Sequence, residues 1–288
     1  MRKQWLLLVF VFLLVAAPAL FALGPAPYPA GAVTFAAYTP EPGVVVPGER
    51  FRYQFSWNGI KAAEAVWETK LAPNRPGWLT SRADGKIIGY PATLYRGQDH
   101  VISTISADTF KPERYAIQIR ESLDYYDMSV SFNHRAGVAN RVKTTRTKTS
   151  RKTFEFSNAY DPVGLALLIR SLPWKTGQER RFEVIDGNER YLLVIKGGQV
   201  ENLTVPAGAF RAIRLIPSIF EMPGQRRKET ARYWQKQKNK DANRVADMTS
   251  FTFWMALDPP RPYLRVRTDV FFGHVDMDLV EVSNTAQP

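Results

Sequence analysis

Three histidines, no cysteine and twenty-seven carboxylates are the side chains from which a catalytic or metal site could be built in this sequence. His100, His134 and His274 fall in separate strand-like stretches, so a zinc site would need all three to converge or carboxylates to complete the set. Asp99-His100 is poorly suited to joint ligation, because neighbouring residues of a strand point to opposite faces, whereas His274 and Asp276 share a face. A G-x-S-x-G elbow and an H-E-x-x-H helix are both absent. The lack of cysteine excludes a thiol nucleophile, a disulfide framework and a lipid-modified N-terminal cysteine. A glycosidase-type carboxylate pair is assembled only by the fold, and Glu64, Glu68, Asp84 and Asp99 are conceivable members. Nothing selects them over solvated strand faces, so no catalytic residue, metal or cofactor is assigned.

Binding chemistry has more to work with. Residues 135–152 carry seven positive charges and no acid, including Arg141, Lys143, Arg146, Lys148, Arg151 and Lys152. Residues 223–247, with Arg226, Arg227 and Lys228, have eight positives and three negatives. Together the two stretches equal the whole formal surplus of +12, and the pI is near 9.9. Such stretches suit an anionic lipid or polysaccharide surface, at about 1 kcal/mol per basic residue near a charged membrane. The plainer reading of the first is a charged sheet edge that resists aggregation, and of the second a solvated insertion. Aromatic residues offer a second binding chemistry. Phe55, Trp57, Trp67 and Trp254, with Leu165 and Leu168, could line an apolar cavity, or could simply fill the core.

The elements that must position these side chains are mostly strands. Phe51, Tyr53, Phe55 and Trp57 alternate with polar residues, the period of a half-buried strand. Asn58-Gly59 then marks a hairpin turn. Tyr115, Ile117 and Ile119 alternate, as do Tyr126, Met128, Val130 and Phe132. Asp186-Gly187-Asn188 and Pro206-Ala207-Gly208 separate further strand pairs, which gives an antiparallel meander. One segment differs: Asp161 is a good N-cap, Pro162 suits the first helical position, and an apolar run follows to Leu172. A helix at about 162–171 that is apolar on most sides should be buried. The predicted fold is therefore mainly β, a strongly curved antiparallel sheet or incomplete barrel wrapped around one short buried helix.

Arg2 and Lys3 precede an apolar run from Trp5 to Ala17, the order of a secretory signal. The expected organisation is a signal over 1–22, a Pro/Gly/Ala-rich linker over 23–48, one β-rich domain over 49–283 with the basic insertion inside it, and a tail over 284–288. The alternative keeps the apolar segment uncut as an inner-membrane anchor, since Trp5–Leu23 approaches the roughly 20 residues that span a bilayer. Export to the periplasm makes nucleic acid an unexpected partner.

Several blocks then carry a family resemblance over about residues 49–283: YQFSWNGIKAAEAVWE, ISADTFKPERY, DPVGLALLIRSLPWKTGQ, VPAGAFRAIRL and FWMALDPPRPYLRVRTDVFFGHVDMDLVE. In this order they resemble the bacterial domain of unknown function 3108. The resemblance implies an exported, β-rich envelope protein and brings no catalytic residue with it. Residues 222–247 depart from the pattern as a longer, more basic excursion.

The leading expectation is a non-enzymatic envelope module that binds a lipid or other apolar or amphiphilic component inside the curve and sets its basic stretches against an anionic membrane or wall surface. A structural or assembly factor that docks a protein partner, with no internal ligand, is the alternative. A carboxylate-based enzyme acting on glycans stands third.

Overall fold

The computed structural model describes residues 35–95, 97–122, 124–222, 251–269 and 273–285. The signal segment, Arg226, Arg227, Lys228 and the rest of the basic insertion lie outside the described residues.

Eight strands come first: β1 (Glu49–Trp57), β2 (Ile60–Leu71), β3 (Trp78–Ile87), β4 (Gly97–Ser106), β5 (Pro112–Glu121), β6 (Tyr125–Asn133), β7 (Val138–Thr145) and β8 (Thr149–Glu155). A one-turn helix α1 (Pro91–Leu94) lies between β3 and β4. The two-residue strand β9 (Ala159–Tyr160) leads into helix α2 (Pro162–Arg170), then β10 (Glu179–Ile185), β11 (Arg190–Val205) and β12 (Gly208–Glu221). Strands β13 (Phe251–Ala256), β14 (Tyr263–Asp269) and β15 (His274–Asn284) complete one sheet of fifteen. Every strand pair is antiparallel except β9 with β10.

The hydrogen-bonded order runs from β8 back to β1, crosses to β15, and descends to β9. Its two edges, β8 and β9, are thus consecutive in the chain. Only residues 156–158 separate them, and four residue steps span at most about 14 Å. The sheet therefore has to curl until its edges nearly meet. Bulges in the β1–β15, β1–β2, β4–β5 and β13–β14 pairs add the local bending.

Local sequence explains the individual turns. Asn58 and Gly59 both have positive φ, as a two-residue hairpin loop needs. Asp186 receives the backbone N–H groups of Asn188 and Glu189, both at 2.7 Å, which shapes the β10–β11 turn. Asp161 caps α2 by accepting from the backbone N–H of Gly164 at 2.6 Å, with Pro162 at the first helical position. The Ser103 hydroxyl also donates to Asp161, pinning the helix to β4.

Helix α2 lies inside the curl, as its all-round apolar character predicts. Val163, Leu167 and Leu168 have no exposed surface. A methyl group on Gly164 would stand 2.4 Å from the Phe110 carbonyl oxygen, so glycine allows the close approach of helix to β4–β5 turn.

Residues 35–48, expected to be a linker, lie against the barrel instead. The Tyr38 hydroxyl donates to the Arg181 carbonyl and accepts from its N–H, occupying backbone groups of β10 beyond the reach of β9. Val44 is buried, and Glu41 donates its N–H to the Ser171 carbonyl at 2.7 Å.

Candidate functional site

Four of the six residues expected to line an apolar cavity are buried in one hydrophobic core. Phe55, Trp67, Leu165 and Leu168 do come together, at 2%, 6%, 3% and 0% exposure. They share one core with Phe51, Tyr160, Phe182, Ile195 and Leu215. Trp67 stacks on Tyr263, with ring centroids 6.0 Å apart, and donates its indole N–H to Ser81 at 2.7 Å. Two expected lining residues are elsewhere. Trp254 alternates with buried Phe253 and Met255, so it lies on the other face of β13, half-buried, with its indole N–H donated to Glu201. Trp57 is half-buried at the end of β1, beside the β1–β2 turn.

The core also holds an ion pair that sequence reasoning missed. Arg170, the one charge of α2, has no exposed surface and faces Glu49 of β1, which is 3% exposed. Its two Nη groups donate to the two Glu49 carboxylate oxygens at 2.7 and 2.9 Å. Further donations reach the carbonyls of Pro260 at 2.6 Å and Arg261 at 3.2 Å. The guanidinium lies 4.6 Å from the Phe51 ring centroid. Such a full set of partners is what a buried charge requires. The pair joins the helix, the first strand and the β13–β14 turn.

The basic stretch around β7 and β8 divides in two. Arg141 and Lys143 alternate in register with buried Ala139, and Lys152 with buried Phe154, so all three take the inner side of the curl. There they meet β6 and the tip of the β10–β11 hairpin. Lys152 donates to the Asn188 carbonyl at 2.8 Å and approaches Glu189 at 3.8 Å. Lys143 sits 3.6 Å from the Tyr126 ring centroid, and Arg141 donates to the Ser150 hydroxyl at 2.7 Å. Gly187 of that hairpin tip packs against Met128 and Val130 of β6. Buried Glu183 finishes the closure, its Oε2 accepting from the Ser157 N–H and hydroxyl, each at 3.0 Å, and the Asn158 N–H at 2.7 Å. Of the three inner cations, Lys152 thus reaches across the closure, while Arg141 and Lys143 contact the neighbouring strands β8 and β6. Arg146, Lys148 and Arg151 stay exposed.

Arg146 and Lys148 lie in the β7–β8 turn, at the end of the barrel that also carries the β1–β2, β3–β4, β5–β6 and β14–β15 turns. Strand β12 ends and β13 begins at this same end. Three of the chain's exposed large apolar or aromatic side chains are here: Ile60 at 59%, Tyr90 at 74% and Tyr125 at 41%. The Tyr125 ring has two guanidiniums near it, Arg120 at 4.2 Å and Arg146 at 4.9 Å from its centroid. Lys61 and Lys86 add exposed positive charge.

Of the carboxylates considered for catalysis, Glu64, Glu68 and Asp84 pair with Lys86, Lys70 and Arg82 on the outer face. Asp99 faces inward and meets a partner that sequence reasoning missed, Glu121 of β5. Gly97 stands opposite Glu121 and Asp99 opposite Ile119, so the two carboxyl groups occupy diagonal positions of neighbouring strands. The Arg120 N–H donates to Asp99 at 3.1 Å and the Tyr95 hydroxyl to Glu121 at 2.8 Å. Burial raises both carboxyl pKa values, and the Asp99 charge pushes Glu121 further, to about 8. Both groups are buried, at 6% and 4% exposure.

The histidines stay apart. His100 bonds Asp84 on the outer face, His134 donates to the Pro112 carbonyl at 2.6 Å, and His274 lies 3.5 Å from Asp276. Among the described residues no group of three or more His, Asp or Glu side chains is placed to hold a metal. No helix among them is long and apolar enough to cross a membrane.

The model of the family described as Protein of unknown function (DUF3108) matches residues 52–280, from β1 to β15. The chain belongs to that family. Its match spans nearly all of the curled sheet and α2, so the closure, Arg170 and the basic end lie within the matched residues, and Glu49 stands just before them. No curated protein matches the chain. Among solved structures, the chain is similar in fold to a β-barrel-like protein of DUF1849 from Brucella abortus. That likeness has a TM-score of 0.52 at 7% identity and covers 82% of this chain and 97% of the other. A Bacteroides fragilis protein described as having a YmcC-like fold aligns at 9% identity with a TM-score of 0.34, covering 86% and 100%.

Proposed function

We propose that the protein is a non-enzymatic module of the bacterial cell envelope that docks onto anionic phospholipid through the β1–β2, β5–β6 and β7–β8 end of its barrel. The observation that carries this reading is the joint placement of Arg146, Lys148, Lys61 and Lys86 with exposed Ile60, Tyr90 and Tyr125 at one end. Cationic groups meet headgroup phosphates, while exposed apolar and aromatic side chains settle at the headgroup boundary. The exposed apolar and aromatic side chains lie beside the cations on the outer surface, which supports an outer working surface. The charged N-terminal residues and the apolar run behind them support export, whether the segment is cut or retained as an anchor.

Co-sedimentation with vesicles tests the reading. The full chain should bind phosphatidylglycerol-containing vesicles more tightly than phosphatidylcholine vesicles, and raised salt should erase the difference. The apolar N-terminal segment contributes to both, so the anionic increment is the quantity of interest. Equal binding to the two vesicle types would refute lipid docking. An increment that appeared only with anionic polysaccharide would move the partner to the wall.

A further inference from the structure

Beneath the docking end, Asp99 of β4 and Glu121 of β5 face into the curl at 6% and 4% exposure, on diagonal positions of paired strands. Two carboxylates this near each other and out of water do not both ionise near neutral pH, so one proton stays with the pair. Tyr95, which donates to Glu121, immediately follows α1 in the β3–β4 connection, the segment that bears exposed Tyr90. Glu121 ends β5 and donates its N–H to the Asp124 carbonyl at 2.8 Å, which opens the turn that presents Tyr125. Arg120, beside Glu121, fixes Asp99 through its backbone and reaches Tyr125 with its guanidinium. One proton therefore sits where the β3–β4 connection, the start of β4 and the β5–β6 turn are joined.

The surrounding charges leave little to stabilise a second negative charge. Asp124 in the β5–β6 turn disfavours ionisation of Glu121. The Tyr126 phenol is influenced by Asp99, Glu121, Asp124 and, from the β10–β11 turn, Asp186. Arg120 and His100 favour the ionised form of Asp99, and Lys143 covers the Tyr126 ring. One carboxylate is thus supported and its partner is held protonated by burial.

We propose that the proton shared by Asp99 and Glu121 is a latch for the docking end, holding the Tyr90- and Tyr125-bearing segments in their docking arrangement until the proton is lost. This rests on the docking reading above. Loss of the proton sets two buried negative charges against each other, drives β4 and β5 apart at this end, and adds negative charge under a surface that uses positive charge. Both effects weaken docking as pH rises.

The test uses the full chain with phosphatidylglycerol-containing vesicles between pH 6 and 9, alongside hydrogen exchange of residues 88–95 corrected for its intrinsic pH dependence. In the wild type, affinity should fall with rising pH, by at most about tenfold per pH unit for one coupled proton. Exchange should quicken with the same midpoint. Glu121→Gln, which keeps an acceptor for Tyr95 and a donor for Asp99, should hold the acid-side affinity and slow exchange throughout. Asp99→Asn should do the same from the other strand. Exchange that does not change with pH would overturn the latch. Exchange that titrates while affinity stays constant would overturn its control of docking. Titrating exchange with no anionic binding at any pH would overturn the docking reading itself, and its control with it.

Discussion

Replacing Glu49 with alanine should cost the domain about 3–5 kcal/mol, the usual penalty for removing one partner of a buried ion pair. The magnitude follows from what is left behind. Arg170 has no exposed surface, so its guanidinium cannot recover water. It would keep the Pro260 and Arg261 carbonyls and lose both Glu49 oxygens. A domain with about 5–15 kcal/mol of total stability would lose a large part of it. In urea, with a slope of about 2–3 kcal/mol per molar, the midpoint should fall by roughly 1–2 M. Arg170→Met leaves a different orphan. The Glu49 carboxyl, 3% exposed and without its counter-ion, would titrate above its unfolded value. The stability of that variant should then be greatest below the unfolded carboxyl pKa and fall as pH rises through the raised one. The double variant Glu49→Met with Arg170→Met removes both charges and should recover most of the loss, a coupling that a double-mutant cycle closed with the Glu49→Met single variant reads directly. A Glu49→Ala loss under about 1 kcal/mol, or strictly additive single losses, would refute the reasoning.

Further outcomes follow from other sites. Gly164→Ala should destabilise by about 1–3 kcal/mol in thermal or urea unfolding, because its methyl group meets the Phe110 carbonyl oxygen at 2.4 Å. Arg146→Gln with Lys148→Gln should lower anionic vesicle affinity by about 2 kcal/mol, near thirtyfold, and leave the unfolding midpoint in place. Lys152→Gln should do the reverse, since its amine holds the Asn188 carbonyl across the closure. Burial pushes the Asp186 carboxyl up to about 6. Because this folded value exceeds the unfolded one, its contribution is complete below about pH 4 and declines as pH rises through 6. Asp186→Asn, which can keep the turn's two N–H contacts, should flatten that decline and raise stability at pH 8, as urea midpoints at pH 4 and 8 would show.

What could be read from the chain was what neighbours dictate. The Asp161-Pro162 helix start, the Asn58-Gly59 and Asp186-Gly187 turns and the alternation of β1, β5 and β6 all depend on residues a few positions apart. The burial of α2 followed from its own composition. Arg170 escaped because a cation in the last turn of a helix also suits the helix dipole, and its partner lies 121 positions away. The signal was present nonetheless: a helix buried on every side must find its one cation an acid. FTFWMA, by plain alternation, already put Trp254 opposite Phe253 and Met255. The basic faces of β7 and β8 were also legible, but the hairpin tip that covers the inner one returns from β10 and β11. Asp99 with Glu121 required the β4–β5 register, in which Gly97 faces Glu121. That register depends on a bulge near Thr104 which no local pattern announces.

The order of the strands has a consequence for how the chain could be rewired. β1 and β15 pair along their whole length, from Glu49 opposite Asn284 to Trp57 opposite Val275, while β8 and β9 part at residues 156–158. A circular permutant that joined residue 285 to residue 48 and began at 157 would place its strands in the order β9 to β15, then β1 to β8. Chain order and hydrogen-bonding order would then coincide across the whole sheet. The pairing with the longest loop to close would become a hairpin, and folding should quicken as contact order drops. In the native connectivity β1 cannot gain its second neighbour until β15 is available, so the sheet closes last at its middle and not at its edges.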